Sequence, residues 1–252
     1  MGSLARLLVV AAFAAALLGC THTQPLISHA HLGHGLTQWQ DTPGNKGLFT
    51  VARAEIDVAQ HETDATLAAA SAAEKASHLR NAEHALNPDA QPTGAGLGYG
   101  AIRALEGAIE HLEYAATSED ASQNIVSSVA PLTELGDAVV TRLRDAAAGA
   151  TSADTNDPTA LDRAAVEVRA RLGAVTHGVD ANHDGRIDAT AAEAGLDQVH
   201  AQLQAMLDRE TNPKYAPLPR RYLLGIVKLP SGKWIFTSIR DALSRPSYGH
   251  SH

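Results

Sequence analysis

"LFTVARAEIDVAQHETDATLAAASAAEKASHLRNAEHAL", residues 48 to 86, sets the fold class. No proline or glycine interrupts it, and Ala, Glu, Leu, Lys and Arg dominate. Val51, Ala54, Val58, His61, Ala65, Ala68, Ala72, Leu79 and Leu86 recur at steps of three, four or seven. That spacing places side chains on one face of a helix. It predicts one helix over Leu48–Leu86, with a kink at most and His61 as a hydrogen-bonded core residue. "NPDAQPTGAG" at 87 to 96 must end it, because proline lacks the amide donor and glycine favours irregular backbone.

Working outward, the same periodicity predicts a helix over Tyr99–Thr117, striped by Ile102, Leu105, Ile109, Leu112 and Ala116. A third is expected to start at Ser118 as its cap and run through Ile125, Val129, Leu132, Leu135, Val139 and Leu143, bent at Pro131. A fourth is expected over Ala160–Thr176 behind Pro158, and a last one over Ala191–Glu210. Short links between amphipathic helices favour an antiparallel bundle, and alanine-rich faces permit close approach. "RRYLLGIVKLPSGKWIFTSI", 220 to 239, changes register to two β-rich runs around "PSG" and reads as a small C-terminal β-hairpin lying on the bundle. The expected class is therefore mainly α: an antiparallel helical bundle with one loop of special composition and a hairpin. The segments are a leader at 1–19, a histidine-containing arm at 20–46, a bundle at 47–178, loop and helix at 179–210, and hairpin and tail at 211–252.

The front of the chain carries an address. Arg6, the apolar run Leu7–Leu18, and then Gly19-Cys20 form a secretory leader, too short for a membrane span. Leu17-Leu18-Gly19-Cys20 resembles the bacterial lipoprotein box. The resemblance implies cleavage before Cys20, its lipidation, and a membrane partnership through that lipid in the periplasm-facing cell envelope. With Thr21 following, the destination in a Gram-negative cell would be the outer membrane. Cys20 is the sole cysteine, so no intrachain disulfide forms. Loss of residues 1–19 removes only Arg6 and leaves nineteen Lys+Arg against 28 Asp+Glu. That surface disfavours nucleic acid and anionic lipid head groups and mildly favours cations. No protein partner is named by the sequence.

"DANHDGRIDATAAE", 180 to 193, alternates oxygen side chains about a glycine. Counting from Asp180, the side chains of Asn182, Asp184 and Asp188 and the backbone carbonyl of Arg186 fall at positions three, five, nine and seven. Gly185 takes the turn and Ile187 the apolar anchor. The pattern resembles the EF-hand loop, in which a hard cation gathers oxygens from a tightly curled backbone. The resemblance implies Ca2+ bound by these residues. Its closing position holds Ala191, and the first carboxylate is Glu193. Three readings stay open: Glu193 swings back to close the sphere, water replaces it, or Thr190-Ala-Ala-Glu193 is a capping box for the next helix. A displaced closing ligand puts affinity on the order of 10⁻⁴ M, suited to a structural ion. An Asp/Asn-rich turn without metal is the competing reading.

Thirteen histidines are many for 252 residues. "SHAHLGHG" puts His31 and His34 on one helical face with His29 close by, a spacing suited to Zn, Cu or Ni. Glu74 and His78 are four apart, His84 lies further on, and Glu110-His111 would approach them if those helices packed antiparallel. "EKASHLRNAEHAL" and "EGAIEHLEYAA" are similar to the His-and-Ala helices of the histidine-rich small metal-binding protein family. That resemblance implies a helical bundle taking up copper and other divalent ions. A second metal site is expected from a subset of His29, His31, His34, His78, His84 and His111.

Signatures of catalysis are missing: no His-Glu-x-x-His run, no serine elbow, no thiol beyond Cys20. "GAGLGYG" at 94 to 100 joins two predicted helices and reads as a capping linker rather than a nucleotide loop. Glu55 and Glu62 lack the Glu-x-x-His pairs of di-metal bundles. The expected role is a lipid-anchored envelope metal binder. The alternative is a non-catalytic envelope scaffold stabilised by calcium alone.

Overall fold

The computed structural model describes residues 26–151 and 153–210, plus the backbone of three short extended segments, Arg220–Arg221, Ile226–Lys228 and Trp234–Phe236. The leader, Cys20 and the greater part of the expected hairpin at 220–239 lie outside the described residues. The described body is helical: α1 (Ile27–Leu36), α2 (Leu48–Ala68), α3 (Ala72–Leu86), α4 (Ala101–Thr117), α5 (Gln123–Thr151), α6 (Pro158–His177) and α7 (Leu196–Arg209). Among the described residues no helix is long and apolar enough to cross a membrane.

The single helix expected over 48–86 is two. α2 ends at Ala68, and α3 begins behind Ser71, whose hydroxyl accepts from the Glu74 amide at 3.2 Å while the Glu74 carboxylate accepts from the Ser71 amide at 3.2 Å. This reciprocal pair satisfies two amides that a helix start otherwise leaves open. The chain folds back there. Lys75 Nζ donates to the Thr66 carbonyl, His78 meets Glu62, and Ala85 and Glu55 both lie against Gly96, so α2 and α3 run antiparallel.

The buried face of α2 is also rotated from the expected stripe. Leu48, Val51, Ala52, Glu55, Ile56, Ala59, Thr63 and Thr66 are buried, whereas His61 is exposed. Glu55, wholly buried, is why a hydrophobicity reading picks the wrong phase. Its carboxylate accepts from the amides of Leu97 (3.0 Å), Tyr99 (3.0 Å) and Gly100 (3.1 Å), so the charge is satisfied by the linker ahead of α4.

Ser118 does not start α5. It closes α4, its hydroxyl donating to the Tyr114 carbonyl at 2.7 Å, and Ser122 caps α5 by accepting from the Ile125 amide at 3.1 Å. α5 continues unbroken through Pro131 to Thr151. α6 starts at Pro158, ahead of the expected Ala160, behind Asp157, whose carboxylate accepts from the Thr159 amide at 2.9 Å. α7 starts at Leu196, five residues later than expected, with Gln198 accepting from the Gly195 amide at 2.9 Å.

The helices pack mainly as antiparallel neighbours. Glu106 meets Arg144 and Ile109 meets Gly136 between α4 and α5. Arg142 reaches Ala194, just ahead of α7, while Asn124 reaches Met206, pairing α5 with α7. α1 lies along α4, with Ile27 beside Asp120 and His31 beside His111. One core runs through all of these, and a smaller cluster of Ala76, Leu79, Leu161, Ala164 and Ala165 seals α3 to α6.

Candidate functional site

Three imidazoles converge where α1 crosses α4. His31 and His34, one helical turn apart on α1, face His111 of α4, and one ligand atom from each lies within 4.8 Å of the others. His31 Nδ1 and His111 Nδ1 are 3.1 Å apart. Two nitrogens about 2.0–2.1 Å from a shared tetrahedral ion would be about 3.3 Å apart. His34 is buried; His31 and His111 are half-buried, leaving the cluster an open side.

Aromatic rings wall it. Trp39 lies 4.3 Å from the His34 ring and 4.9 Å from His111, and Tyr114 lies 5.3 Å from His31. Trp39 is fixed by its loop: its amide donates to the Lys46 carbonyl, and the single Thr42 hydroxyl proton is shared between the carbonyls of Trp39 (2.7 Å) and Lys46 (2.5 Å). The Tyr114 hydroxyl donates to Glu110 at 2.5 Å, and that hydrogen bond pushes the phenol above its usual range. The atoms brought together are imidazole nitrogens, a donor type suited to Zn, Cu or Ni more than to Mg or Ca.

The other candidate histidines go elsewhere. His29, wholly buried on α1, points to Glu210 at 3.4 Å, and burial lowers its pKa against the opposing pull of that carboxylate. His78 Nδ1 meets Glu62 at 2.7 Å, and Asn81 donates to the same carboxylate at 3.1 Å. His84 Nδ1 meets the Gln91 carbonyl at 2.6 Å. The expected approach of Glu110-His111 to His78 and His84 does not occur, because α4 pairs with α1. Glu62 and Glu55 likewise serve separate partners.

The loop at 180–193 folds on its own amides. Asp180 accepts from Asp184 (3.1 Å) and Gly185 (2.9 Å), Asn182 from Asp184 (2.9 Å), and Asp184 from Arg186 (2.9 Å). Gly185 takes the left-handed φ of 83° expected at the turn. Glu193, 3% exposed, reaches back across the loop and accepts from the amides of Asn182 (3.3 Å) and Asp188 (2.8 Å). The capping-box reading fails: Glu193 sits in a turn ahead of α7, its amide donates to the Thr190 carbonyl at 3.1 Å, and its carboxylate takes the loop amides rather than that of Thr190. Arg142 clamps the exit, donating to the carbonyls of Ala191, Ala192 and Ala194. The loop carboxylates do not gather as the imidazoles do; among the described residues the histidine trio is the group whose ligand atoms lie so close.

Sequence reasoning did not find Trp39 and Tyr114 as walls. Tyr114 stands three residues after His111, a legible helical spacing, but Trp39 arrives through a loop that no local pattern predicts. Comparison with protein-family models, with curated proteins and with solved structures finds no match for this chain.

Proposed function

We propose that this chain is a metal-binding protein of the cell envelope, anchored by lipid on Cys20, with a Zn, Cu or Ni ion at His31, His34 and His111. Ca2+ at Asp180, Asn182, Asp184, the Arg186 carbonyl, Asp188 and Glu193 would act as a structural ion. The apolar run at 220–239 belongs to this reading as a hairpin against the bundle. The observation that carries it is the convergence of three imidazole nitrogens from two helices, with an open side for entry and a fourth ligand. Glu193 supports the calcium part, since both its oxygens already lie over the loop and carboxylate oxygens have lone pairs beyond those the amides take. The same hydrogen bonds favour the second reading, an envelope scaffold in which the loop keeps its shape unaided.

The test is competition titration of the full chain in detergent with zinc against a chromophoric chelator, with calcium-dependent melting of the same samples. Wild type should bind one zinc, and His111→Ala should weaken it by about a hundredfold or more. Calcium should raise the wild-type melting temperature and leave Glu193→Ala unmoved. Equal zinc affinity in wild type and His111→Ala would remove the imidazole site, and no calcium effect would leave the scaffold reading of the loop.

A further inference from the structure

We propose that α1 is a metal-latched arm: the ion at His31, His34 and His111 regulates whether this helix stays docked on α4. The inference rests on the imidazole site proposed above and concerns what occupancy of that site does.

α1 is a poor helix by itself. "ISHAHLGHGL" contains two glycines and three histidines in ten residues, all weak helix formers, and is shorter than isolated helices that persist in water. Its N-cap, Leu26, offers no side-chain acceptor. The capping comes from outside: Asp120, in the turn between α4 and α5, accepts from the amides of Ile27 (2.5 Å) and Ser28 (2.9 Å). His29 meets Glu210 at the end of α7, and Leu32 is fully buried. Each attachment binds α1 to a different part of the body and none binds it to itself, so helix and docking form together.

A metal held by two residues of α1 and one of α4 joins that list. Free energy of binding to the docked arrangement, absent from the released one, shifts the balance toward docking. What docking covers is apolar: the end of α1 at Gly35 and Leu36 forms one side of a cavity whose other lining residues include Phe49, Leu105, Ile109 and Leu132. Release of α1 opens that cavity to water.

Hydrogen exchange read by mass spectrometry on the full chain in detergent tests this, with zinc ion alone as the probe and zinc affinity measured on the same samples. Saturating zinc should slow exchange across residues 29–38 by about tenfold or more while leaving α3 unchanged. His111→Ala, which leaves the sequence of α1 intact, should abolish that slowing; should it fail to fold, His31→Ala, half-exposed on α1, serves in its place. Asp120→Ala touches no ligand and should speed exchange of 29–38 without zinc, with zinc restoring protection. The proposal is overturned if zinc binds one-to-one through these histidines and exchange of 29–38 does not change. If zinc does not bind there at all, the imidazole site falls and the latch with it, and the affinity measurement separates the two failures.

Discussion

Glu55 and Glu193 are buried carboxylates that hold backbone amides. A buried carboxylate without compensation is costly, but two or three amide donors around it make the arrangement stable and leave those amides dependent on it. Removing Glu55 orphans the amides of Leu97, Tyr99 and Gly100 at the start of α4. Glu55→Ala should therefore cost about 3 kcal/mol or more, and Glu55→Gln should recover only part, since its NH₂ would face an amide donor. Urea denaturation of both variants checks this; losses under about 1 kcal/mol would show that water replaces the carboxylate. At this scale the sequence was readable and ambiguous together. Ser71-Ala-Ala-Glu74 and Thr190-Ala-Ala-Glu193 share one spacing, yet the first is a capping box that splits a helix and the second is a loop closure. What separates them is the segment ahead: Asn182 and Asp188 present loop amides to Glu193, whereas the Glu74 carboxylate takes the amide of Ser71, the residue that caps its own helix.

Elements were legible where amphipathic period and punctuation agreed. α4 and α6 stand close to their expected bounds because Gly100, Pro158 and Asp157 mark their starts. α2 differs in phase from the expected stripe, since its buried face contains Glu55, whose charge is satisfied by backbone amides and leaves no apolar mark in the sequence. The loop element shows how its ends meet. Gly178, with φ 86°, ends α6, and a Cβ there would lie 2.3 Å from the Glu193 carbonyl oxygen; a Cβ on Gly195 would lie 2.4 Å from the Gly178 amide nitrogen. The Val179 amide donates to the Glu193 carbonyl at 2.8 Å, so the two strands of backbone touch at the base of the loop. Gly195→Ala should force that base apart and cost about 2 kcal/mol or more, against about 0.5 kcal/mol of either sign for Gly173→Ala, where a Cβ meets nothing within 4 Å. Thermal melts of the two variants side by side decide it, and equal melting temperatures would show that the base can open without penalty.

Across the whole molecule, the histidine trio depends on pairing between α1 and α4, which no local pattern encodes; the sequence supplied His31, His34 and His111 within a list of six but not their convergence. Similar long-range contacts govern the response to acid. Asp120 is drawn upward by burial but more strongly downward by hydrogen bonds from the Ser28 and Ile27 amides, and its carboxyl sits below the usual range. Asp197 is likewise drawn upward by burial and held lower by His177 (2.8 Å) and Arg53 (3.2 Å), tying α7 to α6 and α2. Because the folded pKa values lie below the unfolded value near 3.9, their stabilisation is present above about pH 4 and is lost as pH falls through the folded values. Asp120→Asn combined with Asp197→Asn should therefore melt below wild type at pH 7, and the gap should narrow as both are taken from about pH 5 to about pH 2. Melting curves across that range make the comparison: a gap constant with pH would mean that these two carboxylates act through shape alone, whereas a closing gap would assign to them the acid sensitivity of the contacts that hold α1 and α7 to the body.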